Sequence, residues 1–125
     1  MTDKPKILVV DDEKAFLEIM VDKLSKEGFR VLTAHDGQVG LDVALKEKPA
    51  VILLDVLMPK MHGWEMYNKL RQDSWGKKVP VIILTNVSNE AKQEEGEQTG
   101  KFDYCVKTDY NLADIVKKIK DKAGV

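Results

Sequence analysis

The run Val51-Ile52-Leu53-Leu54-Asp55 is the stretch on which the fold turns. Four aliphatic residues follow one another without a polar break and end on an acid. A strand with one wet face alternates apolar and polar residues; this one does not, so it reads as a strand covered on both faces. Moving outward, Ile7-Leu8-Val9-Val10 has the same character and runs into Asp11-Asp12. Val81-Ile82-Ile83-Leu84 repeats it and ends on Thr85, with Pro80 at a strand start, where proline is tolerated. Arg30-Val31-Leu32-Thr33-Ala34 and the segment 102–106 are weaker strands, the last followed by Lys107.

The intervening segments carry helical spacing. Phe16, Ile19, Met20 and Leu24 mark one face, with Gly28 as a stop. Leu41, Ala44 and Leu45 mark a second face, and Met66, Tyr67 and Leu70 a third. Leu112, Ile115, Val116 and Ile119 form the last, behind a cap at Asn111. Residues 88–99 are rich in glutamate with Ala91 as the one apolar residue, which predicts a poorly anchored helix. Strands alternating with helices predict an α/β fold, a mostly parallel sheet covered on both sides. The 125 residues are expected to form one domain, 1–125, without repeat or linker.

Composition removes several functions. Twenty Lys plus Arg against twenty-one Asp plus Glu leave a net charge of −1, which speaks against direct nucleic acid binding as the main role. The single cysteine, Cys105, cannot form an internal disulfide. No apolar run approaches the roughly 20 residues needed to span a bilayer, and the first residues hold no hydrophobic signal core. A cytoplasmic protein without a membrane segment is expected.

Ligands of open parallel sheets bind beyond the carboxyl ends of the strands. The residues that follow the apolar runs are Asp11, Asp12, Asp55, Thr85 and Lys107. Three carboxylates in one cleft repel one another unless a cation joins them, and a hard divalent ion such as Mg²⁺ suits oxygen ligands. With Mg²⁺ and Lys107 the charges balance, leaving a site able to receive an anion, as phosphoryl transfer requires.

The ordered set Asp11-Asp12, Asp55-Val56-Leu57-Met58-Pro59, Gly63, Thr85, Tyr104 and Lys107 resembles the receiver domain of two-component response regulators, over essentially the whole chain. The resemblance implies a flavodoxin-like, doubly wound sheet of five parallel strands in the order 2-1-3-4-5, with five helices. It implies that Asp55 accepts a phosphoryl group from a phosphohistidine on a histidine kinase or phosphotransfer protein. Asp12, Asp55 and the backbone carbonyl of Leu57 would ligate Mg²⁺, with Asp11 acting largely through water. Lys107 would pair with Asp55 and then with a phosphoryl oxygen. Thr85 would swing toward another oxygen and Tyr104 would turn inward, switching a protein-binding surface.

The chain would thus be a stand-alone phosphoacceptor switch rather than an enzyme, its phosphorylation and dephosphorylation self-catalysed. Output would pass through a downstream protein target, from a monomer or a phosphorylation-dependent dimer. Thr108 replaces the proline usual in the family, Asn86 a small residue and His62 an aspartate. Plainer readings stand beside these: Asp11 and Asp12 as helix caps, Thr85 as an ordinary strand end, Tyr104 as a packing aromatic, the Lys117, Lys118, Lys120 and Lys122 cluster as a solvated face. Two other functions compete: a Mg²⁺-dependent phosphohydrolase with an aspartyl-phosphate intermediate, and a receiver-like binding module that is never phosphorylated.

Overall fold

The computed structural model describes residues 4–55, 63–85, 103–106 and 111–125. Its elements are β1 (Lys6–Val10), α1 (Lys14–Lys26), β2 (Arg30–Ala34), α2 (Gly37–Glu47), β3 (Val51–Asp55), α3 (Gly63–Arg71), β4 (Val81–Thr85), β5 (Asp103–Val106) and α4 (Leu112–Ala123). The strands form one parallel sheet in the order β2-β1-β3-β4-β5, a flavodoxin-like arrangement. The helix expected over 88–99 lies outside the described residues.

Side chains alternate across each strand, and this sorts the apolar runs into two cores. Leu8, Val10, Ile52, Leu54, Val81 and Ile83 face α2 and α3, where Met66, Tyr67 and Leu70 are buried. Ile7, Val9, Val51, Leu53, Ile82 and Leu84 face α1 and α4, against Phe16, Met20, Leu24, Ile115 and Ile119. The unbroken aliphatic runs of β1, β3 and β4 thus have partners on both sides. β2 is an edge strand, and only Ala34 of its five residues is buried.

Two expectations about helix faces are corrected. Ile19 is 44% exposed. The buried stripe of α1 is Phe16, Met20 and Leu24, with Leu17 beside it, and at about 100° per residue Ile19 falls on the opposite flank. Leu45 is likewise exposed at 37%, while the inward face of α2 is Gly37, Gly40 and Ala44. These small residues let α2 approach the sheet and α3 closely. A Cβ on Gly40 would stand 2.9 Å from Met66 Sδ and 3.0 Å from Val10 Cγ1.

The helix ends follow their local chemistry. α1 stops before Gly28, whose φ is +94°. Asn111 caps α4, its side-chain oxygen accepting from the Ala113 N–H at 2.8 Å. In the lysine cluster of α4, Lys117 and Lys122 are exposed, whereas Lys120 Nζ reaches Glu27 Oε1 at 2.6 Å. Among the described residues no helix is long and apolar enough to cross a membrane.

Candidate functional site

The sheet register builds the site. Val10 pairs with Leu54, so the next residue of each strand, Asp11 and Asp55, emerges side by side at the carboxyl edge. The Asp11 N–H donates to the Ala34 carbonyl at 3.0 Å, carrying the ladder one residue beyond β1. Asp55 continues the alternation of Val51 and Leu53 and pairs with Leu84 of β4. Its carboxylate therefore belongs to the α1 and α4 side of the sheet. Asp11 and Asp55 are buried, at 0% and 5% exposure, and Asp12 is exposed.

One oxygen from each of Asp11, Asp12 and Asp55 lies within 4.8 Å of the others. A pair of unit charges about 4 Å apart at an effective dielectric of 20 interacts by about 4 kcal/mol, so such a cluster draws in positive charge. The donor set is oxygen throughout, and its exposed member leaves an approach from solvent. Both features fit Mg²⁺, which binds through a few carboxylates while keeping several of its waters. Helix capping accounts for part of this region and not the rest. Asp11 Oδ1 accepts from the Glu13 N–H at 2.8 Å, closing the turn into α1, yet the N-cap itself is Glu13, which makes no side-chain cap bond.

The other expected residues divide into two groups. Thr85 ends β4 in register with Val106, and Tyr104 of β5 is in register with Ile83. Both strands therefore reach the same edge. Leu57 and Lys107 lie outside the described residues, as do His62, Asn86 and Thr108. Asp36 is a further buried carboxylate at this edge that the apolar runs do not flag. It caps α2, with one oxygen accepting from the Val39 N–H at 2.9 Å and the other 3.4 Å from His35 Nδ1. Its signal in the sequence is position: an aspartate between a strand end and the first residue of a helix.

The model of the response regulator receiver domain matches residues 7–120. A probable transcriptional regulator, ycf27, of Guillardia theta is 39% identical over 104 residues, 83% of this chain and 40% of that protein. Response regulator PleD of Caulobacter vibrioides is 36% identical over 102 residues, 82% of this chain and 22% of its own length. The chain thus spans well under half the length of these relatives. Among solved structures, the chemotaxis protein CheY4 of Vibrio cholerae superposes with a TM-score of 0.87 at 32% identity, covering 94% of this chain and 98% of that one. The receiver domain of the sensor histidine kinase PA1611 of Pseudomonas aeruginosa, solved with a magnesium ion coordinated in its active site cleft, also gives 0.87. Its identity is 25%, over 98% of this chain and 99% of that one. A parallel sheet in this order, an acidic carboxyl edge and a family match over residues 7–120 agree: the chain belongs to the response regulator receiver domains.

Proposed function

We propose that residues 1–125 act as one receiver unit in which Asp55 accepts a phosphoryl group from the phosphohistidine of a histidine kinase or phosphotransfer protein. The observation that carries this reading is the meeting of the Asp11, Asp12 and Asp55 carboxylates within 4.8 Å at the carboxyl edge of the sheet. Asp12 and Asp55, joined by the backbone carbonyl of Leu57, would hold a Mg²⁺ ion, with Asp11 acting largely through water. When bound, the ion supplies positive charge that offsets the carboxylates and admits an anionic donor.

An oxygen of Asp55 forms the bond to phosphorus as the phosphorus–nitrogen bond of the donor breaks, and the leaving imidazole keeps the electron pair. Asp55 is buried, which limits the freedom of its carboxylate, and positioning is most of what phosphoryl transfer asks of a protein. Lys107 and Thr85 take the remaining phosphoryl oxygens, and Tyr104 responds to Thr85, altering a surface that a downstream protein reads. The switch works in the cytoplasm, where its kinase donor acts, and its self-catalysed turnover does not make it an enzyme on a separate substrate pool.

Incubation with acetyl phosphate and Mg²⁺, followed by intact mass and peptide mapping, tests this. One hydroxylamine-labile adduct on Asp55 is expected, absent from Asp55→Ala and strongly reduced in EDTA. An adduct that persists in Asp55→Ala, or maps elsewhere, rejects the assignment. Multiple turnover of a small phosphate ester would instead favour a phosphohydrolase.

A further inference from the structure

The opposite edge of the sheet carries a groove of about 620 Å³ between the α2–β3 and α3–β4 connections. Trp75, Ala50 and Pro80 line it, with Lys48 and Lys78 at its rim. We propose that this groove docks an acidic segment of a partner protein, with an apolar side chain laid against Trp75 and carboxylates on the lysines.

Three independent features point there. The first is charge: Lys48, Lys77 and Lys78 are all exposed and make no ion pair among the described residues. Nearby carboxylates are engaged elsewhere, Glu47 with Lys6 and Asp73 with the loop backbone. The positive field of the rim is therefore left for a ligand.

The second is preorganisation. The loop that presents Trp75 is fixed from both sides. Arg71 Nη1 donates to the carbonyls of Gly76 and Val79 at 2.6 and 2.7 Å, and its guanidinium lies 4.8 Å from the Tyr67 ring centroid. One oxygen of Asp73 accepts from the N–H groups of Trp75 and Gly76, both at 2.9 Å. The backbone beneath Trp75 is thus held in place and its half-buried indole packs against the core, so little freedom is lost when a ligand covers it.

The third is backbone strain. Lys48 has φ +48°, the one non-glycine residue with positive φ among those described, at a helix C-cap where glycine is the comfortable choice. Lys48 thus places its side chain at the rim from a backbone position that favours glycine.

The test uses the 125-residue protein and, as probe, a glutamate-rich decapeptide with a central leucine–phenylalanine pair. Saturable binding is expected, with amide shifts concentrated at Lys48, Ala50 and residues 74–79. Lys48→Glu/Lys78→Glu should weaken it by about tenfold or more. Lys48→Gly should melt higher than the parent, its strain relieved, yet bind the peptide more weakly. A purely structural role for Lys48 predicts no change in binding. The proposal is overturned by any of four results: no saturable binding, equal affinity for the matching lysine-rich peptide, shifts centred on the Asp11 and Asp55 edge, or an equal loss in Lys117→Glu/Lys118→Glu.

Discussion

The two edges of the sheet handle charge in opposite ways. At the carboxyl edge, strand register presses Asp11, Asp12 and Asp55 together. At the amino edge, acids meet bases: Glu27 is 2.6 Å from Lys120 and 3.7 Å from Lys23, and Glu47 is 3.1 Å from Lys6. There too Arg71 and Asp73 close a loop with four hydrogen bonds to backbone groups. Like charges gathered in a partly buried place cost stability, and proteins accept that cost where an ion or substrate will bind. Satisfied pairs on short connections brace the frame. The contrast separates an edge that gathers like charge from one that pairs Glu27 and Glu47 with lysines and, among the described residues, leaves Lys48 and Lys78 without an ion pair around a groove.

Substitutions that touch one edge and spare the other test that separation, and the largest effect is expected at Gly76. A Cβ there would stand 2.0 Å from the Leu70 carbonyl oxygen, so Gly76→Ala forces backbone to move and should cost about 3 kcal/mol or more. Urea unfolding checks it, with Asp55 labelling per folded molecule expected to stay at the parent level. Labelling that falls further than the folded fraction would mean the edges are coupled.

Next comes metal linkage. Mg²⁺ at one hundred times its dissociation constant should stabilise the parent by about 2.7 kcal/mol, seen by thermal or chemical unfolding. Asp55→Asn should lose most of this and, in EDTA, melt no lower than the parent. A variant that still gains the full Mg²⁺ increment would show that Asp55 is no part of the acidic cluster's ion site.

Arg71→Met is expected to cost about 2 kcal/mol by leaving the Gly76 and Val79 carbonyls without their donor. Proteolysis should then cut within 72–80 while Mg²⁺ binding persists. Resistance equal to the parent would show the latch to be dispensable.

The smallest effect concerns acid. The hydrogen bond from Lys120, and then its charge, hold the Glu27 carboxyl below its ordinary value. Lys6 does the same for Glu47, again through the hydrogen bond first. Because the folded form binds these protons less readily than the unfolded form, the pairs support folding above the ordinary carboxylate range. That support is lost as pH falls through the lowered values. Lys120→Met should therefore narrow the stability gap between pH 7 and pH 3, read by unfolding at both. An unchanged gap would show the pair contributes nothing measurable, the usual fate of exposed pairs.

Much of this was legible in the residues. The runs at 7–10, 51–54 and 81–84 became β1, β3 and β4 because unbroken aliphatic stretches are stable as strands only when both faces are covered. Gly28 and Asn111 marked helix ends through chemistry confined to one turn. The acids were conspicuous for the same reason, since an aspartate directly after a buried strand has few structural uses. Ile19 and Leu45 misled because an aliphatic residue near a helical stripe does not reveal how wide the stripe is. That width depends on how closely the sheet approaches.

Local sequence is enough to settle which segments are strands, where helices begin and end, and which acids terminate strands, because those outcomes depend on neighbours a few residues away. The close seat of α2 at Gly40, the reach of Lys120 to a glutamate 93 residues earlier and the meeting of Asp11 with Asp55 are of another kind. Each needs two distant stretches brought into one register, and strand pairing together with helix packing supplies that register only once the chain has folded.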